Sequence, residues 1–191
     1  LNHFANLRTV NIDPSYVVIF GENNTKLESI NLNCRTVTGL DKIPSSAPLQ
    51  KVVIKYATVD RGNWDFPMLE KLVLTDCTVA YESAGYTLED QLYISGDCIS
   101  MKHLDLNGTN NERGGYTTLV HAPETLEYID ISNTNTEGLY ITRFPNLKYF
   151  YAENNGMEFI AGARGESDKT LADYCTKLIE VDVSGNNLTQ F

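Results

Sequence analysis

The chain has 191 residues, 25 acidic against 15 basic side chains for a net charge of −10, and 42% hydrophobic residues. That is enough apolar material for one continuous core, with no apolar run near the ~18 residues of a membrane span and no basic cluster of the kind a phosphate backbone needs. The chain is therefore read as soluble, without a membrane span and without a nucleic-acid partner.

Taken in chain order, the elements are strands that repeat. The frame L-x-x-L-x-L-x-x-N-x-L starts at Leu7 and brings Val10 and Ile12 to one face. It returns at Leu27 (inner pair Ile30 and Leu32), Leu49 (Val52, Ile54), Leu69 (Leu72, Leu74) and Met101 (Leu104, Leu106). Leu126 (Ile129, Ile131), Leu147 (Phe150, Ala152) and Leu178 (Val181, Val183) complete eight copies. A period of two sends the inner pair inward, and recurrence of a short unit predicts a stacked solenoid. Pro48, Pro67, Pro123 and Pro145 stand at the entry to repeats and end whatever precedes the strand. The two longest gaps hold 80–99 and 158–175. Thr87 and Asp90 approximate a helix-start box in the first, and 167–175 reads as a short helix capped by Ser167 in the second.

These residues resemble the leucine-rich repeat family over nearly all of the chain. The closer starts, 20–22 residues apart, resemble its short bacterial type, near the lower end of the family's ~20–29 residue range. The resemblance implies an α/β solenoid of horseshoe form, with a parallel concave sheet of about eight strands and a convex side that is mostly irregular or short-helical. It implies a ninth-position Asn or Cys that hydrogen-bonds the turning backbone. Cys77, Asn155 and Asn186 conform, Thr109 and Thr134 are smaller substitutes, and Ser15, Arg35 and Ala57 depart, so the first three repeats are expected to turn less regularly. Residues 1–191 form one domain on this reading. The lack of capping elements at its ends predicts a fragment of a longer chain.

The outward neighbours of the inner pairs form columns about 4.8 Å apart from strand to strand. Repeats three and four present Lys51, Lys55 and Lys71 around Val53 and Val73, whereas repeats five to eight present His103, Asp105, Tyr128, Asp130, Tyr149, Tyr151, Glu153, Glu180 and Asp182. Tyrosine rings offer rigid contact area and carboxylates select cationic partners. Those nine residues are the candidate ligand-binding set for a protein or peptide of basic character, a glycan fitting less well. The plainer reading of an Asp between two apolar residues is that it keeps the sheet solvated. Asp105 beside Asp130 suggests a cation site, but solvated acids are preferred and no metal site is assigned.

No phosphate loop, zinc helix, EF-hand or nucleophile elbow occurs. An open sheet face lacks the desolvation that tunes an acid or base, so the expectation is a non-enzyme without cofactors. Cys34, Cys77, Cys98 and Cys175 are expected to be free and mostly buried, since strands two repeats apart place Cys34 and Cys77 about 10 Å apart, beyond the ~7 Å reach of a disulfide. The abundance of Asn, Thr and Tyr resembles leucine-rich repeat proteins exported to the surface of host-associated bacteria. That likeness implies a surface or secreted binding module, with a cytoplasmic location and a structural spacer role as the alternatives.

Overall fold

A computed structural model describes residues 1–60, 63–80, 93–94, 96–111, 115–118, 122–141, 144–161 and 169–189. In chain order its strands are β1 (Thr9–Ile19), β2 (Ser29–Thr38), β3 (Lys51–Lys55), β4 (Thr58–Val59), β5 (Asn63–Trp64), β6 (Lys71–Thr75), β7 (Thr78–Val79) and β8 (Tyr93–Ile94). There follow β9 (His103–Asp105), β10 (Asn110–Asn111), β11 (Gly115–Thr118), β12 (Tyr128–Asp130), β13 (Thr136–Tyr140), β14 (Tyr149–Tyr151), β15 (Ile160–Ala161) and β16 (Glu180–Asp182), with a short helix, α1 (Leu171–Tyr174), just before β16.

The first member of each of the eight inner pairs falls on one parallel ladder, β1-β2-β3-β6-β9-β12-β14-β16, each in register with its neighbour, while Leu106, Ile131, Ala152 and Val183 follow just past the ends of β9, β12, β14 and β16. The return segments also pair. The far ends of β1 and β2 continue through β4, β7 and β10, while β11, β13 and β15 form a second row and β5 pairs with β8. The fold is a parallel-sheet β-solenoid, with almost no helix among the described residues.

Of the forms a short return segment allows, extended chain, turns or single helical turns, the return side takes chiefly the extended one, in place of the irregular or short-helical convex side that the family resemblance implies. Its segments are pairs such as Thr58-Val59 and Thr78-Val79, β-branched residues that suit a pleated ladder. A period of about 20 residues also leaves no length for a helix beside the turns. Among the described residues the helical segments are α1 and a 3-10 turn at Leu40–Lys42. The helix expected in 167–175 begins later than its sequence suggests: Thr170 and Asp173, not Ser167, form its capping box, Asp173 Oδ2 accepting the Thr170 N–H at 2.8 Å. Ser167 and the Thr87–Asp90 box lie outside the described residues.

A left-handed residue at the eighth frame position turns the chain out of each later strand. Tyr56, Asp76, Gly108, Asn133, Asn154 and Gly185 hold that place, with φ between 51° and 69°. The first two repeats have Pro14 and Cys34 there. The proline ring fixes φ near −65°, and both β1 and β2 run on as strands of 11 and 10 residues, with a register shift between Ile12 and Ser15. The expected irregularity therefore covers two repeats. The third turns like those after it, through Tyr56.

Four ninth-position side chains tie their turns to the repeat before, whereas Thr134 Oγ1 donates to the Ile131 carbonyl of its own copy (2.8 Å). Cys77 Sγ donates to the Ile54 carbonyl (3.4 Å), Thr109 Oγ1 to that of Leu74, Asn155 Nδ2 to that of Ile131 (2.8 Å) and Asn186 Nδ2 to that of Ala152 (2.7 Å). Each of these four acceptors is the second inner residue of the preceding copy.

The inner pairs and leading leucines merge into one buried cluster. Phe66, Cys98, Phe144 and Cys175 occupy one slot, three residues ahead of a repeat, where each carbonyl accepts the N–H of the leading residue (2.9–3.3 Å). All four cysteines are free and buried, and burial pushes Cys34 up and Cys77, Cys98 and Cys175 up to about 11. Among the described residues no helix is long and apolar enough to cross a membrane.

Candidate functional site

Alternation along each strand turns one residue in two away from the core, and the register lines these residues up. Lys71, His103, Tyr128, Tyr149 and Glu180 are successive partners across β6, β9, β12, β14 and β16. Val73, Asp105, Asp130, Tyr151 and Asp182 form the adjacent column. Eight of the nine residues singled out by sequence lie in these two columns. The ninth, Glu153, follows Tyr151 by two residues, its N–H donating to Ser132 Oγ (3.1 Å).

The aromatic members touch. The His103 and Tyr128 rings stack with centroids 4.1 Å apart and planes 8° from parallel. Tyr128 also lies 5.6 Å from Tyr151 at 49° and 6.4 Å from Tyr149 at 43°, within the 4.5–7 Å range of favourable ring pairs. Four rings on three neighbouring strands thus form a continuous half-buried platform.

The central aspartates have a second task that sequence reasoning missed. Asp105 Oδ1 accepts the N–H of Asn107 (3.0 Å), Asp130 Oδ1 that of Ser132 (2.8 Å) and Asp182 Oδ1 that of Ser184 (2.9 Å). Each carboxylate braces the backbone two residues on, where the strand yields to the turn. The signal was present as a recurrent Asp-x-Asn/Ser spacing. Asp130 Oδ2 also accepts from Asn107 Nδ2 (3.2 Å), so the Asp105–Asp130 pair is engaged by protein donors. Among the described residues no cluster of His, Cys, Asp and Glu has the form of a metal site.

Electrostatics follow from this packing. Burial, then the Lys71 charge, takes His103 down to about 4 against the opposing pull of Asp130, so the imidazole is neutral at pH 7. Burial raises Asp105, aided by Asp130 and countered by the Asn107 N–H, Lys71 and Lys55. Burial, then Asp130 and Asp105, raises Tyr128; burial, then the Glu180 carboxylate, raises Tyr151. Both phenols keep their protons and remain hydrogen-bond donors. Asp182 is lowered by the Ser184 N–H.

The rings of β9, β12 and β14 thus form a neutral aromatic surface, with carboxylates beside them on β9, β12 and β16. Comparison with family models, with curated proteins and with solved structures returns no match for this chain.

Proposed function

We propose that the chain is a non-catalytic binding module of leucine-rich repeat type, part of a bacterial surface or secreted protein, and that it holds a basic protein or peptide on this face. The carrying observation is the ring platform of His103, Tyr128, Tyr149 and Tyr151 on one registered sheet, beside Asp105, Asp130, Glu153, Glu180 and Asp182. Rigid rings contribute contact area at small entropy cost and attract cations over their faces. The eight-strand ladder and the ninth-position bonds between copies support the family assignment.

The test is a pull-down from host-cell or bacterial extract, comparing the wild type with a Tyr128→Ala, Tyr149→Ala, Tyr151→Ala variant whose circular dichroism is unchanged. Loss of the captured partner supports the assignment; equal capture sinks this face as the site. A second reading, a structural spacer with its ligand elsewhere, is favoured by the bracing role of the aspartates. It requires that the triple variant behave as the wild type in every binding assay.

A further inference from the structure

The face that carries the tyrosines changes sign along the solenoid. On β3 and β6 it presents Lys51, Lys55 and Lys71; from β9 onward the charged side chains in the two columns are carboxylates. Lys51 and Lys71 are direct register partners, and like charges facing one another across strands are destabilising. Among the described residues the ion pairs are Arg8–Glu28 and Lys148–Glu127, so the three lysines have no described carboxylate as an ion-pair partner. Lys55 and Lys71 act on Asp105 through space without pairing with it, which leaves their ammonium groups open to a ligand.

We propose that the face takes one extended peptide of bipolar charge lying across the strands, its basic segment over Tyr149, Tyr151 and Glu180 and its acidic segment over Lys51, Lys55 and Lys71. The proposal rests on the reading of this face as a peptide site and adds the ligand's charge order and spacing. From β6 to β14 there are three strand steps, about 14 Å at about 4.8 Å each. An extended chain rises about 3.3 Å per residue, so about four residues separate the two charged segments. The stretch between them crosses the stacked His103 and Tyr128 rings, which favour a neutral, flat-lying span. A uniformly basic peptide of the same length would set a cation against the lysines, so the division of charge also rejects wrong partners.

Three synthetic fluorescent peptides test this by polarisation. One has two arginines and two glutamates separated by about four neutral residues, one has the same composition with the charges alternating, and one has glutamine in place of glutamate. The bipolar peptide should bind about tenfold more tightly than the alternating one and weaken with added salt. Reversal of the two exposed lysines, Lys51→Glu with Lys55→Glu, should cost the bipolar peptide about tenfold while leaving the glutamine peptide bound as well or better. Equal affinities for the bipolar and alternating peptides, or a bipolar affinity unmoved by the reversal, overturn the charge order while the glutamine peptide's dependence on Tyr149 and Tyr151 preserves the site. Failure of all three peptides to bind overturns both.

Discussion

Asn155 shows how much one side chain can hold. Its Nδ2 donates to the Ile131 carbonyl (2.8 Å), and its Oδ1 accepts the Thr134 N–H (2.7 Å) and Thr134 Oγ1 (3.1 Å), all buried. Asn155→Ala would strand the buried Thr134 N–H, while the Ile131 carbonyl keeps Thr134 Oγ1 at 2.8 Å. The expected loss is about 1–3 kcal/mol in urea denaturation, whereas exposed Asn11→Ala should stay within about 0.5 kcal/mol; equal effects would refute the brace. His103 gives a pH signature. Its folded pKa of about 4 lies below the ordinary 6.5, so between those values the unfolded chain binds a proton that the folded chain refuses. Its contribution is intact above 6.5 and is lost as pH falls toward 4. His103→Gln should flatten the acid-side fall of thermal midpoints, and an unchanged slope would remove His103 as its source. The polar ninth position was legible in the frame. The aspartate braces were missed because attention to an outward face assigns its residues to solvent or ligand, not to their own backbone.

At the scale of elements, the ladder strands were legible because alternation and frame are local properties. Their exits were not, since a left-handed φ can be held by Gly, Asn, Asp or even Tyr56, and no single residue type marks the eighth position. Gly108, at the eighth position, and Gly156, two residues past the eighth position of its own repeat, separate the two costs of a side chain at positive φ. A Cβ on Gly108 (φ 68°) would lie 2.2 Å from Asp76 Oδ1, while one on Gly156 (φ 73°) meets nothing within 4 Å. Gly156→Ala should cost the conformational strain alone, about 1–2 kcal/mol. Gly108→Ala should cost more, because the Asp76 carboxylate must also move; equal losses in chemical denaturation would show that the contact relaxes freely. The return strands escaped the sequence because two-residue pairs such as Thr58-Val59 carry no detectable period. The start of α1 was displaced because both Ser167 and Thr170 are good caps, and the partner at the third helical position, Asp173, decides between them.

Over the whole molecule, each repeat touches chiefly its neighbours, so stability is a sum of interfaces along one axis. Leu104, fully buried between β6 and β12, should cost about 2–5 kcal/mol as Leu104→Ala. Val181 holds the same frame position on β16 yet is 37% exposed, against 0% for Leu104, so Val181→Ala should cost about 1 kcal/mol or less; equal losses would mean that β16 is covered in solution. The sequence by itself determined the eight inner pairs, their register and therefore which side chains share a face, because a period of two and a recurring frame need only local chain geometry and the pairing of like with like. Only the tertiary structure decided that His103 is neutral against Tyr128, that the aspartates serve their own turns, and that the return side is a second ladder. Desolvation, ring contact and bonds between copies depend on atoms some 20 to 35 residues apart in the chain, and no local pattern encodes their sum.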